Sequence, residues 1–161
     1  MKYIKLTVIL LVVLITCGCG KREAISPQEL FDKSKSYNIT DVKSTIDFAD
    51  AAYKITGDNG LDVLYIKCSN KNTIKQMYYD ETNNITKKAA GEAVMEDTST
   101  EEFSIDDIDK SITKGDNYTI AGYNLENKYY RLSWIDDTII VSSIDIKHKS
   151  ELVNFMKSIN Y

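Results

Sequence analysis

The only histidine of the chain, His148, is the first residue to consider for catalysis. Any Ser-His-Asp arrangement would have to use it, because the 161 residues contain no second imidazole. It lies between Lys147 and Lys149, where a predicted strand passes into a predicted helix. This position predicts a solvent-exposed junction residue. A single histidine also argues against a zinc site of the usual histidine-rich kind.

Cys68 is the candidate thiol nucleophile downstream of the N-terminal region. It ends a predicted strand, a position at which cysteine commonly acts as a small buried hydrophobic side chain. The neighbouring Lys67 points to the other face of a strand, so the sequence provides no adjacent cation to activate a thiolate. We therefore predict a structural role for Cys68.

The acidic residues raise two further chemistries, calcium binding and glycoside hydrolysis. The turn Asp58–Asp62 resembles part of a calcium loop, but Gly60 comes too early and no glutamate closes the loop. The stretch Asp106–Asp109 lacks the required spacing. Glycoside hydrolysis needs two carboxylates held apart across a cleft, and no pattern singles out such a pair. Together with the absence of a phosphate-binding glycine loop, this predicts no catalytic residue, no metal and no cofactor.

Aromatic residues provide the one indication of ligand binding. The chain has 11 tyrosines, including the pairs Tyr78–Tyr79 and Tyr129–Tyr130, and we expect one ring of each pair to face outward. Exposed tyrosines make good contacts with sugars and proteins, although tyrosine is also common on strands for structural reasons. The predicted binding residues are Tyr79, Tyr129 and Trp134.

The N-terminus has the organisation of a signal peptide. Lys2 and Lys5 precede an apolar run from Leu6 to Ile15 that is interrupted only by Thr7. A run of this length suits a signal-peptide core of ~7–15 residues and is short of the roughly 20 that a transmembrane helix needs.

A cysteine follows the apolar run directly after small residues, and this arrangement resembles the lipobox of bacterial lipoproteins. The resemblance implies that the peptide is cleaved before Cys19, that the Cys19 thiol receives diacylglycerol and that the new amino group is often acylated. Cys19 is preferred because Gly18 precedes it. Cys17 is the second choice, with Thr16 before it and Leu14 three residues upstream. Two or three acyl chains suffice for stable anchoring.

Charge supports attachment through lipid. The net charge is -4, and cleavage before Cys19 removes Lys2 and Lys5 but no acid, which leaves about -6. Such a domain lacks the basic surface of a nucleic-acid binder and is not drawn to anionic lipid. The predicted location is the extracytoplasmic face of the cell membrane. One remaining thiol, Cys68, also excludes an internal disulfide.

The apolar patterns predict an α+β protein. Two similar hairpin–helix blocks could reflect duplication of a β-β-α unit or simply the common pattern of a hairpin before an amphipathic helix. We expect an antiparallel sheet of hairpins with helices packed on one face. The predicted elements are helix Pro27–Ser36, strands Ala51–Thr56 and Leu61–Cys68, helix Asn72–Thr82, strands Tyr118–Leu125, Tyr129–Ile135 and Thr138–Ile146, and helix Lys149–Ile159.

The predicted domain organisation is a signal helix over 1–18, a lipidated tether over 19–25 and one globular domain over 26–161. Residues 83–116 are expected to form a polar, acidic loop, since Glu92 to Asp109 holds eight acids and no base. A short helix near Lys87–Met95 is compatible with the pattern.

The lipobox, the Lys/Asn/Ile-rich composition and this order of elements resemble small, uncharacterised surface lipoproteins of low-GC Gram-positive bacteria. The resemblance implies a lipoprotein of the cell envelope and transfers no active site. The residues favour a membrane-anchored, non-catalytic module that binds a protein or glycan partner. The alternatives are a cell-envelope hydrolase with a carboxylate pair and a purely structural envelope protein.

Overall fold

A computed structural model describes residues 21–35, 42–43, 49–89 and 110–161. Within these ranges the chain forms one seven-stranded antiparallel sheet in the order β1-β2-β3-β7-β6-β5-β4. The predicted α+β class is confirmed. The strands are β1 (Val42–Lys43), β2 (Ala51–Thr56), β3 (Asp62–Lys67), β4 (Lys110–Lys114), β5 (Tyr118–Leu125), β6 (Lys128–Ile135) and β7 (Thr138–Asp145). The helices are α1 (Pro27–Ser34), α2 (Lys71–Ala89) and α3 (Lys149–Ser158).

Helix α1 begins as its sequence predicts. The Ser26 hydroxyl accepts a hydrogen bond from the backbone N–H of Glu29, and Pro27 occupies the start of the helix. Proline suits this position because the N–H that it lacks would have no partner inside the helix. The cap fixes where the chain turns from its extended N-terminal segment into α1.

Both faces of the sheet are covered. Successive side chains of β7 alternate between two core clusters, with Ile140 and Ile144 in one and Ile139 in the other. The first cluster contains Leu152, Phe155 and Met156 of α3, and the second contains Ile74, Tyr78 and Ile85 of α2. The expectation that the helices pack on one face therefore needs correction, since α2 and α3 lie on opposite faces.

The two hairpin–helix blocks, β2-β3-α2 and β6-β7-α3, have opposite handedness. Strands β3 and β7 are antiparallel neighbours with β2 and β6 on their outer sides, which by itself fits a two-fold axis perpendicular to the sheet. Such an axis would keep both helices on one face, but α2 and α3 pack on opposite faces. Two copies of a duplicated unit would have the same handedness, so duplication does not account for these two blocks.

The N-terminal segment packs onto the domain from Arg22 onward. Ile25 is 4% exposed and belongs to the α3-side core, and its carbonyl oxygen accepts a hydrogen bond from the Tyr65 hydroxyl at 3.0 Å. The expectation of a free tether over 19–25 was therefore wrong for residues 22–25, which pack onto the domain. An apolar Ile25 and a partly buried Ala24 pack against this core rather than remaining in solvent.

Two elements lie inside the stretch 83–116 that was expected to be a loop. Helix α2 continues to Ala89 and buries Ile85 fully, and β4 pairs with β5 along the sheet edge. The signal peptide, Cys17, Cys19 and the acidic run Glu92–Asp109 lie outside the described residues. In the part of the chain that is described, no helix combines the length and apolar character needed to cross a membrane.

Candidate binding surface

Tyr79 is the most exposed large apolar side chain of the described residues. It is 61% exposed on α2, whereas the adjacent Tyr78 is buried in the core beneath the helix. The two rings meet edge to face, with centroids 5.9 Å apart and planes at 75°. This contact holds the Tyr79 ring against a fixed partner while leaving most of its surface to solvent, as predicted for one ring of the pair.

Trp134 of β6 shares this side of the molecule. Its ring is partly buried against the α2-side core, and the Lys75 ammonium lies 5.2 Å from the ring centroid. Lys75 and Tyr79 are four residues apart and so are neighbours on one face of the helix. Tyr79, Lys75 and Trp134 therefore lie on the same side of the molecule, and we call the surface that carries them the α2–β6 surface.

Tyr129 is not part of this surface. It lies five residues before Trp134 on the same strand, and residues an odd number apart on a strand point to opposite faces. Tyr129 is 3% exposed in the α3-side core, with Lys149 4.7 Å from its ring centroid. Tyr129 is thus removed from the predicted binding set. The two-residue period of the strand, which places Tyr130 and Trp134 on one face and Tyr129 on the other, could have revealed this.

The edge strand β4 extends the sheet beside the α2–β6 surface. Ile112 pairs with Ala121 and is 50% exposed, and all five β4 residues are exposed. Ala121 and Trp134 contribute to the same core cluster, so Ile112 shares their face. Lys110 and Lys114 close the strand at its two ends. Lysines on an edge strand discourage pairing with other chains, which favours side-chain recognition here over strand addition.

His148 pairs with an acid rather than with a nucleophile. Its Nδ1 lies 2.7 Å from Oε1 of Glu151, and the Asn59 side-chain amide donates to the other carboxylate oxygen of Glu151 at 3.2 Å. These hydrogen bonds lower the pKa of Glu151. No serine, threonine or cysteine side chain hydrogen-bonds the His148 ring within the described ranges. The hydrogen bond from Asn59 links the β2–β3 turn to Glu151 of α3, and His148 holds the same carboxylate at the predicted strand-to-helix junction.

Cys68 lies in the core beside α2. It is 5% exposed, and its backbone N–H donates to the carbonyl oxygen of Asp137 at 2.8 Å. The predicted structural role for this cysteine agrees with its burial. Access of a substrate to the Cys68 sulfur would require local opening of α2.

Three carboxylates of the described residues have lowered pKa values, which is the opposite of what a general acid needs. A general acid needs a raised pKa, whereas hydrogen bonds lower the pKa of Asp32, Asp136 and Glu151. For Asp136 the principal cause is the Lys71 ammonium at 2.6 Å, followed by the Asn117 amide. No group of three or more histidine, cysteine or acidic side chains converges within the described part of the chain.

Arg131 is a polar residue of the interior that sequence reasoning missed. It occupies an inward position of β6 between Tyr129 and Ser133, and one guanidinium nitrogen donates to the Tyr161 carbonyl oxygen at 3.0 Å. Ser142 in turn donates to the Arg131 carbonyl oxygen at 2.9 Å. Alternation of inward and outward positions along β6 could have placed Arg131 on the α3 side. Its contact holds residue 161 over the sheet.

Comparison with known proteins gives no family. No family model matches the chain, and no curated protein does. Among solved structures, the crystal structure of a GTP-binding regulator from Thermotoga maritima aligns over 88% of this chain and 89% of its own length. The identity is 14% and the TM-score is 0.42. A TM-score this low does not establish a shared fold.

Proposed function

We propose that this protein is a lipoprotein held by acylated Cys19 at the extracytoplasmic face of the cell membrane. The observation that carries the proposal is the sequence from Lys2 to Cys19, in which a positive start, a short apolar run and Gly18 precede a cysteine. The mature domain is acidic, so it has no electrostatic attraction of its own to anionic lipid.

The anchor is tested by metabolic labelling with radioactive palmitate. Label is expected in the wild-type protein and in the Cys17→Ala variant, and it should be lost from Cys19→Ala. Continued labelling of Cys19→Ala together with loss from Cys17→Ala would move the site to Cys17. Absence of label in the wild-type protein would refute the lipid anchor.

We further propose that the domain acts as a non-catalytic binding module and that the α2–β6 surface receives a protein or glycan partner. The support is the exposed Tyr79 ring beside the Lys75–Trp134 pair. An aromatic ring held rigid by its neighbours gives contact area at low entropic cost, and a nearby cation adds directionality. A sugar ring or an aromatic or acidic side chain of a partner suits this chemistry.

Site-specific photocrosslinking in intact cells tests the binding proposal. A photoreactive phenylalanine derivative replaces Tyr79 in one strain and Phe31, a 37% exposed aromatic residue of α1, in the matched control. Products are expected at position 79 and not at position 31, and Trp134→Ala should reduce them several-fold. Equal products at both positions, or products that do not respond to Trp134→Ala, would refute a specific role for this surface.

The hydrolase alternative requires two carboxylates with different ionisation behaviour across a cleft. The acids of the described residues supply no observation that favours it. The binding module therefore remains the function that the geometry supports best.

A further inference from the structure

The N-terminal segment is fixed to one end of the sheet. The backbone N–H of Arg22 donates to Oδ1 of Asn117 at 3.0 Å, and the Asn117 amide donates back to the Arg22 carbonyl oxygen at 2.7 Å. The Arg22 guanidinium donates to the Asn160 carbonyl oxygen at 2.7 Å and lies 4.7 Å from the Tyr118 ring centroid. Arg22 is thus held by its backbone and by its side chain.

This end of the sheet, which we call the anchor end, consists of three loops that the strand register brings together. They are residues 68–70 after β3, 115–117 before β5 and 136–137 between β6 and β7. Tyr118 pairs with Ile135, and Lys67 pairs with Thr138, which places all three loops at one end. The turns at 57–61 and 126–127 lie at the opposite end.

The chain between the lipidated residue and the domain is very short. Three peptide steps separate Cys19 from Arg22, and a fully extended chain covers at most roughly 11 Å over that distance. Strands of eight residues, such as β6, are about 26 Å long. The link from Cys19 is therefore shorter than the strands of the sheet. A link from Cys17, at most roughly 18 Å long, would also be shorter than the strands.

We propose that the anchor end is the face that the domain turns toward the lipid surface. This inference rests on the proposed lipid anchor. A link shorter than the strands keeps the anchor end close to the bilayer. It excludes the inverted orientation, in which the opposite end would face the bilayer and the anchor end would lie a full strand length away. The lipid surface is the occupant because Arg22, three residues after Cys19 in the sequence, is held at this end.

The charges of the anchor end fit a position above lipid headgroups without strong attraction or repulsion. Lys71 pairs with Asp136 at 2.6 Å, and Lys67 lies 3.4 Å from Asp137. The two acids of the 136–137 loop are thus compensated by lysines at the end of β3 and the start of α2, beside the loops. The orientation should accordingly come from the short covalent link and should persist at high salt, where attraction between exposed charges is screened.

The test uses the full-length lipidated protein in phosphatidylcholine vesicles that contain some phosphatidylglycerol and headgroup-spin-labelled lipid. A fluorophore is attached through Asp116→Cys at the anchor end or through Asn127→Cys at the opposite end, both at exposed positions. Buried Cys68 is replaced by alanine in both. Quenching is expected to be several-fold stronger at 116 than at 127, at low and high salt alike.

A matched variant carries a flexible insert of about twelve glycine and serine residues between Gly20 and Lys21, which extends the link to roughly 50 Å. The difference in quenching should then largely disappear. Equal quenching at 116 and 127 without the insert would overturn the orientation, as would a difference that the insert leaves unchanged. Flotation with the vesicles reports on the anchor alone, so protein that fails to float would refute the anchor and with it this inference.

Discussion

Replacement of Ile25 by alanine tests whether the N-terminal segment belongs to the folded domain. Ile25 is 4% exposed and packs in the α3-side core, so its truncation removes buried methylene and methyl groups and leaves a cavity. Such substitutions cost about 2–5 kcal/mol, and we expect about 3 kcal/mol here because Ile25 lies near the edge of the core. A flexible tether at this position would predict a change close to zero.

The assay is urea unfolding of the detergent-solubilised protein, followed by tryptophan fluorescence of Trp134. With a slope of about 2 kcal/mol per molar urea, the loss moves the midpoint down by about 1.5 M. Ile112→Ala is the matched control, because it makes the same change at a 50% exposed position and should cost less than about 1 kcal/mol. Equal effects of the two substitutions would refute the packing of Ile25.

Three further predictions concern single side chains. Asn117→Ala removes three hydrogen bonds, two to Arg22 and one to Asp136, and should cost about 2–3 kcal/mol in the same urea assay; an unchanged midpoint would contradict it. Because the pKa of Glu151 is lowered in the folded state, its contribution is complete above the ordinary value of 4.5 and is lost as the pH falls through the lowered value. Glu151→Gln should therefore destabilise the protein at pH 7 and converge with the wild type in acid, and a difference that persists in acid would argue against this pairing. Cys68 should react with a maleimide at least roughly a hundredfold more slowly in the native than in the unfolded protein, since exposure needs local unfolding; rapid native labelling would contradict its burial.

Much of the secondary structure could be predicted because the core-facing residues follow clear periods. The hairpin of β6 and β7 combines alternating apolar residues with a two-residue connection, and its observed bounds differ from the prediction by one residue at each outer end. Strand β2 has the predicted bounds, Ala51–Thr56. These elements are specified by local pattern and turn chemistry alone.

The elements that were missed have little local signal. All five residues of β4 are exposed, so burial imposes no alternation on them, and the strand depends on pairing with β5. After Thr82, Ile85 is the one buried residue among the side chains that are described, which reach to Lys87. Such segments acquire their structure from tertiary contacts rather than from propensity.

The arrangement of helices and binding residues depends on which face each strand presents to each helix. Apolar periodicity shows that α2 and α3 each bury one side, but it does not say which face of the sheet each covers. For Tyr129 and Trp134, by contrast, the odd spacing along β6 was sufficient to separate them. Two of the three predicted aromatic residues, Tyr79 and Trp134, therefore lie on the α2–β6 surface, with Lys75 as an addition from the structure.

Mass spectrometry of the N-terminal peptide from the membrane-extracted protein tests the lipid anchor most directly. We expect the mature chain to begin at Cys19 and this residue to carry the mass of a diacylglycerol, with or without an acyl group on its amino nitrogen. A mature chain that begins at any other residue, Cys17 included, or an unmodified Cys19 on an uncleaved chain, would contradict this.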